Sequence, residues 1–134
     1  MKKVVILSLS CVVIIILVLL LNLSGKKPFK DLQTEDVIKV EVLVQPPNTT
    51  KEILDSTQIQ KLVEILNKVV IYKKDNSWKE YNGQYIRYTI TKKNSEIITI
   101  GVYNPFLIIN DVGYKTKYQP CEDLNALANF IIGK

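Results

Sequence analysis

The run from Val4 to Leu23 is apolar except at Ser8, Ser10 and Asn22, and lysines flank it on both sides, Lys2-Lys3 before and Lys26-Lys27 after. At about 1.5 Å rise per residue, such a run makes a helix of roughly 30 Å, the hydrocarbon thickness of a bilayer. A helix hydrogen-bonds its own backbone, so lipid tolerates it. The chain accordingly divides into a transmembrane signal anchor at 1–25, a juxtamembrane linker at 26–36 and a folded domain at 37–134. Two other readings fit less well. A cleaved signal peptide has an apolar core of about 7–15 residues and a small-x-small cleavage site, whereas here Leu23 and Asn22 precede Ser24 and Gly25. A lipoprotein signal carries its cysteine at the end of the apolar core, and Cys11 lies in the middle of this one.

Orientation rests on a finer balance. Lys2 and Lys3 precede the span, while Lys26, Lys27 and Lys30 follow it, so the positive-inside bias nearly cancels. A two-lysine start running straight into apolar residues resembles an export signal. The expectation is a single-pass protein of the cell membrane with its domain outside the cytoplasm.

The charge of the whole chain, +5, misleads about the domain. Setting aside Lys2, Lys3, Lys26 and Lys27 leaves 14 basic against 13 acidic residues, so no nucleic-acid partner is expected. The chain has no histidine, which excludes Ser-His and Cys-His catalysis and histidine-ligated metal. Cys121 is the only cysteine outside the apolar run, so the domain holds no internal disulfide. No cofactor loop or metal-ligand spacing is visible, and none is expected.

Patterning predicts an α+β fold. Ile38, Val40, Val42 and Val44 alternate with Lys39, Glu41 and Leu43, the period of a strand with one buried face. Pro46-Pro47 ends it, and Glu52-Ile53-Leu54 returns. Asp55 or Ser56 caps a helix whose stripe is Ile59, Leu62, Val63 and Leu66, with Gln60, Lys61, Glu64 and Lys68 opposite. Strands follow at 84–91, with Ile86, Tyr88 and Ile90 on one face, then at 97–103, 106–109 and 113–118, joined by short turns. A second helix enters through Pro120 and carries Leu124, Leu127, Ala128 and Ile131. The simplest assembly is one twisted antiparallel sheet covered by one or two helices.

The stretches YNPFLIINDVGYKTKYQPCEDLN (103–125) and VVIYKKDNSWKEYNGQ (69–84), with PPN at 46–48, resemble an uncharacterised group of small domains from low-GC Gram-positive bacteria. Members of that group stand alone behind a membrane anchor or form tails on membrane-embedded metalloproteases of the β-lactam-sensor type. The resemblance spans roughly residues 28–130 and implies a bacterial, membrane-associated, extracytoplasmic domain. It brings no catalytic residue, and the chain has no HExxH.

Two patches are candidates for ligand contact. Trp78, Tyr81 and Tyr85 lie within eight residues beside amides and charges, a composition suited to stacking on sugar rings, although cross-strand packing of the same rings is the commoner use. Lys115 and Lys117 share one face of a strand whose other face holds Tyr114, Thr116 and Tyr118. They suit anionic headgroups or wall polymers, or simply a solvated edge. Cys121 reads as a small buried residue, since Glu122 and Asp123 oppose a thiolate. The expected partners are the lipid bilayer, through the N-terminal helix, and a membrane protein or cell-wall polymer. The alternative is a histidine-free enzyme of wall glycan or lipid using carboxylates among Glu80, Glu96, Asp111 and Glu122.

Overall fold

The computed structural model describes residues 1–53 and 55–133, with Asn22 described by its backbone alone. The strand end expected at Leu54 lies outside those residues. Helix α1 (Lys2–Leu23) projects from the rest of the fold, its described side chains all exposed. It is long and apolar enough to cross a membrane. After it come strands β1 (Val37–Gln45) and β2 (Thr49–Ile53), helix α2 (Ser56–Lys68), and strands β3 (Ile71–Lys74), β4 (Tyr85–Lys92), β5 (Ile97–Tyr103), β6 (Phe106–Ile109) and β7 (Val112–Thr116). Helix α3 (Tyr118–Ile132) follows. All seven strands form one antiparallel sheet in the order β2-β1-β4-β5-β6-β7-β3, which makes the fold α+β.

One face of the sheet is aliphatic because the alternating residues fall in register. Val40, Val42 and Val44 oppose Ile90, Tyr88 and Ile86, which in turn oppose Ile98, Ile100 and Val102. All are buried. Tyr88 is wholly enclosed and its hydroxyl donates to the Leu124 carbonyl at 2.6 Å, while burial raises its pKa far above the ordinary phenol range. Helix α2 lays Leu62, Val63, Ile65 and Leu66 on this face, and α3 adds Cys121, Leu124, Leu127, Ala128 and Ile131. Asp55 is the cap of α2, its Oδ1 accepting from the Thr57 and Gln58 amides at 2.7 and 3.4 Å.

Three local expectations give way. Ile38, expected on the buried face, is 60% exposed, because a bulge between Val37 and Lys39 breaks its alternation against β4. The segment 26–36 is packed rather than spanning as a linker. Phe29 and Leu32 are buried in the core, the Lys93 amide donates to the Asp36 carbonyl, and Lys26 exchanges two 2.8 Å backbone hydrogen bonds with Ile71. The last strand stops at Thr116 and α3 starts at Tyr118, so Pro120 lies inside the first turn, where its missing N–H has no intrahelical partner to lose.

The junction between α1 and the sheet has no slack. Gly25 follows the Ser24 cap with φ +71°, and a Cβ there would fall 2.5 Å from Val70 Cγ1 and 2.8 Å from the Tyr72 ring. Only glycine fits both the conformation and the contact.

Candidate functional site: the strap across the helix-free face

Strand β3 sits at one edge of the sheet and β4 lies four strands away, so the chain between them must cross the face that α2 and α3 leave open. Residues 75–84 make this crossing and form a strap. Its start is fixed by polar contacts. The Asp75 amide donates to the Gly113 carbonyl at 2.8 Å, the Gly113 amide donates to Asn76 Oδ1 at 2.8 Å, and the Ser77 amide donates to Asp75 Oδ1 at 2.9 Å. Hydrogen bonds from the Ser77 hydroxyl and amide hold the Asp75 carboxyl below its ordinary range, with Lys115 and Lys73 adding to the effect. A single 3-10 turn over Ser77–Glu80 then presents the rings.

Two glycines make room for the aromatics. A Cβ on Gly113 would press into the Asp75 carbonyl and meet Trp78 Cδ1 at 2.6 Å, and one on Gly101 would meet the Tyr85 hydroxyl at 2.6 Å. Trp78 and Tyr85 stack at 5.8 Å between ring centres with planes 13° apart, and Tyr81 tilts onto Phe106 at 5.6 Å. Lys79 lies 5.8 Å from the Trp78 ring centre and Lys115 lies 5.6 Å from that of Phe106, within cation–π range. Lys115 also reaches Asp75 at 4.0 Å. Trp78 and Tyr85 are half-buried, whereas Tyr81 is 58% exposed. Burial raises the Tyr85 pKa, with Arg87 opposing and Asp111 reinforcing the rise. The Trp78 indole Nε1 and the Tyr103 hydroxyl, both by the strap, are buried with no hydrogen-bond partner among the described residues.

The fold therefore brings together Trp78, Tyr81, Tyr85 and Lys115, from two stretches far apart in sequence. It separates Lys117, which precedes α3 and lines a cleft with Lys27 and Lys68. The expected pairing of both lysines on one strand face fails because β7 ends between them. Phe106, the base under Tyr81, sits among the aliphatics of its strand with no local pattern that sets it apart. Gly101, between Ile100 and Val102, marks instead the close approach of Tyr85, as a glycine inside a strand does.

The carboxylates considered for catalysis sit on four different elements. Glu80 is on the strap; Glu96, in the β4–β5 turn, pairs with Lys92 at 2.8 Å, and a hydrogen bond from that lysine lowers its pKa. Asp111 is in the β6–β7 turn, and Glu122, on α3 just beyond its first turn, accepts from Asn104 at 3.1 Å. Cys121 is enclosed, its Sγ 3.5 Å from the Phe106 carbonyl, and burial, with Glu122 adding to it, pushes the thiol up to about 12. Compared with protein-family models, curated proteins and solved structures, the chain matches none.

Proposed function

We propose that this chain is a membrane-anchored bacterial domain that faces outward and binds a ligand or partner without turning it over, with the strap as its contact surface. The observation that carries this reading is the exposure of Tyr81 beside rings that are already fixed. Trp78, Tyr85 and Phe106 are held by the sheet, so a ligand stacking on Tyr81 meets a platform whose ordering cost has been met in folding. Lys79 and Lys115 border that platform with positive charge, and the side-chain amides of Asn82 and Gln84 lie along the same segment. Aromatic faces bordered by amides and cations suit the sugars and acidic groups of cell-wall polymers. The export-like start of the sequence and its resemblance to anchored extracytoplasmic domains support the outward orientation.

Trp78 is the only tryptophan, so its emission reports the strap alone. Titration of the full chain in detergent with muropeptides and wall teichoic polymers is expected to shift that emission for at least one class, and Tyr81→Ala to weaken the response. A flat titration with all of them removes the strap as a polymer site. Release of soluble fragments from the same wall material would instead favour the carboxylate-enzyme alternative.

A further inference from the structure

The end of the sheet that meets α1 gathers five exposed lysines from separate stretches of chain. Lys26 and Lys73 line one cleft with Leu21 and Tyr72. Lys27, Lys68 and Lys117 line a second with Val70, Pro120 and Asp123. They converge because β3 begins, β7 ends, α2 ends and α3 begins at this same end of the fold. None of the five makes an ion pair among the described residues. The acids beside them are engaged elsewhere: Asp123 accepts from Gln119 at 2.9 Å, Glu64, one turn before Lys68 on α2, accepts from Gln60 at 3.0 Å, and Asp75, beyond Lys73, is held by Ser77 and Lys115. Tyr72 and Tyr118 are exposed by 43% and 62% on the same end.

We propose that this end is a docking surface for anionic lipid headgroups, which hold the domain down on the bilayer that α1 crosses; the proposal rests on the spanning reading of α1. Charge alone would suit many anions. The first cleft is more selective, because Leu21 belongs to the apolar run and Lys26 and Lys73 stand next to it. Its chemistry passes from hydrocarbon to cation within about one helical turn, the same sequence met on leaving a bilayer core for its headgroups. Lysine stems can lie along apolar surface while the ammonium reaches the phosphate level, and exposed tyrosines favour that depth.

The test uses the full chain in nanodiscs of phosphatidylcholine, with or without phosphatidylglycerol, labelled with a water-soluble amine reagent and read by mass spectrometry. Lys68, Lys73 and Lys117 are expected to label on the order of fivefold more slowly in the anionic discs, the effect of a lysine held near an anionic surface, and the difference should fade in high salt. Lys61, on α2 about 10 Å from Lys68, should label alike in both. The double variant Lys68→Gln, Lys117→Gln should restore fast labelling at Lys73. Equal labelling in the two lipids, or equal slowing at Lys61, overturns the docking surface. A chain that fails to enter the discs and stays in the aqueous fraction overturns the spanning reading instead.

Discussion

The two faces of the sheet are covered by different means. On one, two helices and the segment 26–36 bury aliphatic side chains, most of them with little or no exposure. On the other, a single ten-residue crossing lays aromatic rings over two glycines and leaves one tyrosine outside, with polar atoms unpaired among the described residues. Aliphatic packing has no angular requirement and fills space evenly, so the first face is suited to holding the fold together. Rings on glycines need a particular seat. The strap's own rings are seated firmly while Trp78 and Tyr85 stay only half-buried and Tyr81 open, the condition in which a surface can be ordered and still accessible.

The largest expected effect lies on the first face. Leu62→Ala should cost about 2–5 kcal/mol in denaturant unfolding, because its neighbours on the sheet cannot close a cavity of that size. Lys61→Ala, on the exposed side of the same helix, should stay within about 0.5 kcal/mol. Similar losses at both would mean that α2 does not seat as described.

The strap should respond at an intermediate level. Gly113→Ala forces a methyl group into the Asp75 carbonyl as well as the Trp78 ring and should cost about 1–3 kcal/mol, the range for overpacking, with Trp78 emission moving to the red as the start of the strap lifts. A stable variant with unchanged emission would show that the ring does not rest there, and the contrast between the faces would lose its basis.

The smallest effect is acid release of the strap. The folded-state pKa of Asp75 lies below its ordinary value of 3.8, so the charged form favours the folded state. That contribution is complete above the ordinary value and is lost as pH falls through the lower, folded one. Trp78 emission should therefore be steady down to about pH 4 and drift below it, and Asp75→Asn should remove the drift. A transition centred near neutral pH in the wild-type chain would point to another group.

What could be read from the sequence tracks how local each feature is. Helix α2 and the β4–β5 hairpin follow from periodicities set by neighbouring residues, and they appear nearly where the spacing places them. The buried set Ile86, Tyr88 and Ile90 follows for the same reason. Ile38 fails because a bulge is a property of two strands, and its own strand still alternates. Phe29 and Leu32 fail because two apolar residues among charges carry no period, and only the finished sheet offers them a site. The pairing of β3 with β7 joins residues forty or more positions apart, which no short window contains. The strap follows from that pairing. Once β3 is placed at the edge, the crossing to β4 is forced, and Trp78, Tyr81 and Tyr85 come with it. Their proximity in sequence was legible, but the face they occupy and their meeting with Lys115 were not.

The tight seat of Gly25, with the paired hydrogen bonds between Lys26 and Ile71, has a mechanical consequence. A long tether would let an anchor and its cargo turn independently. Here the torque of any rotation of α1 about its own axis passes into the edge strand and swings the whole sheet, as a key turns its lock. A second chain gripping α1 side by side would thereby fix the compass bearing of the strap. Inserting a few glycines after Gly25 would free that bearing while leaving both faces of the sheet intact.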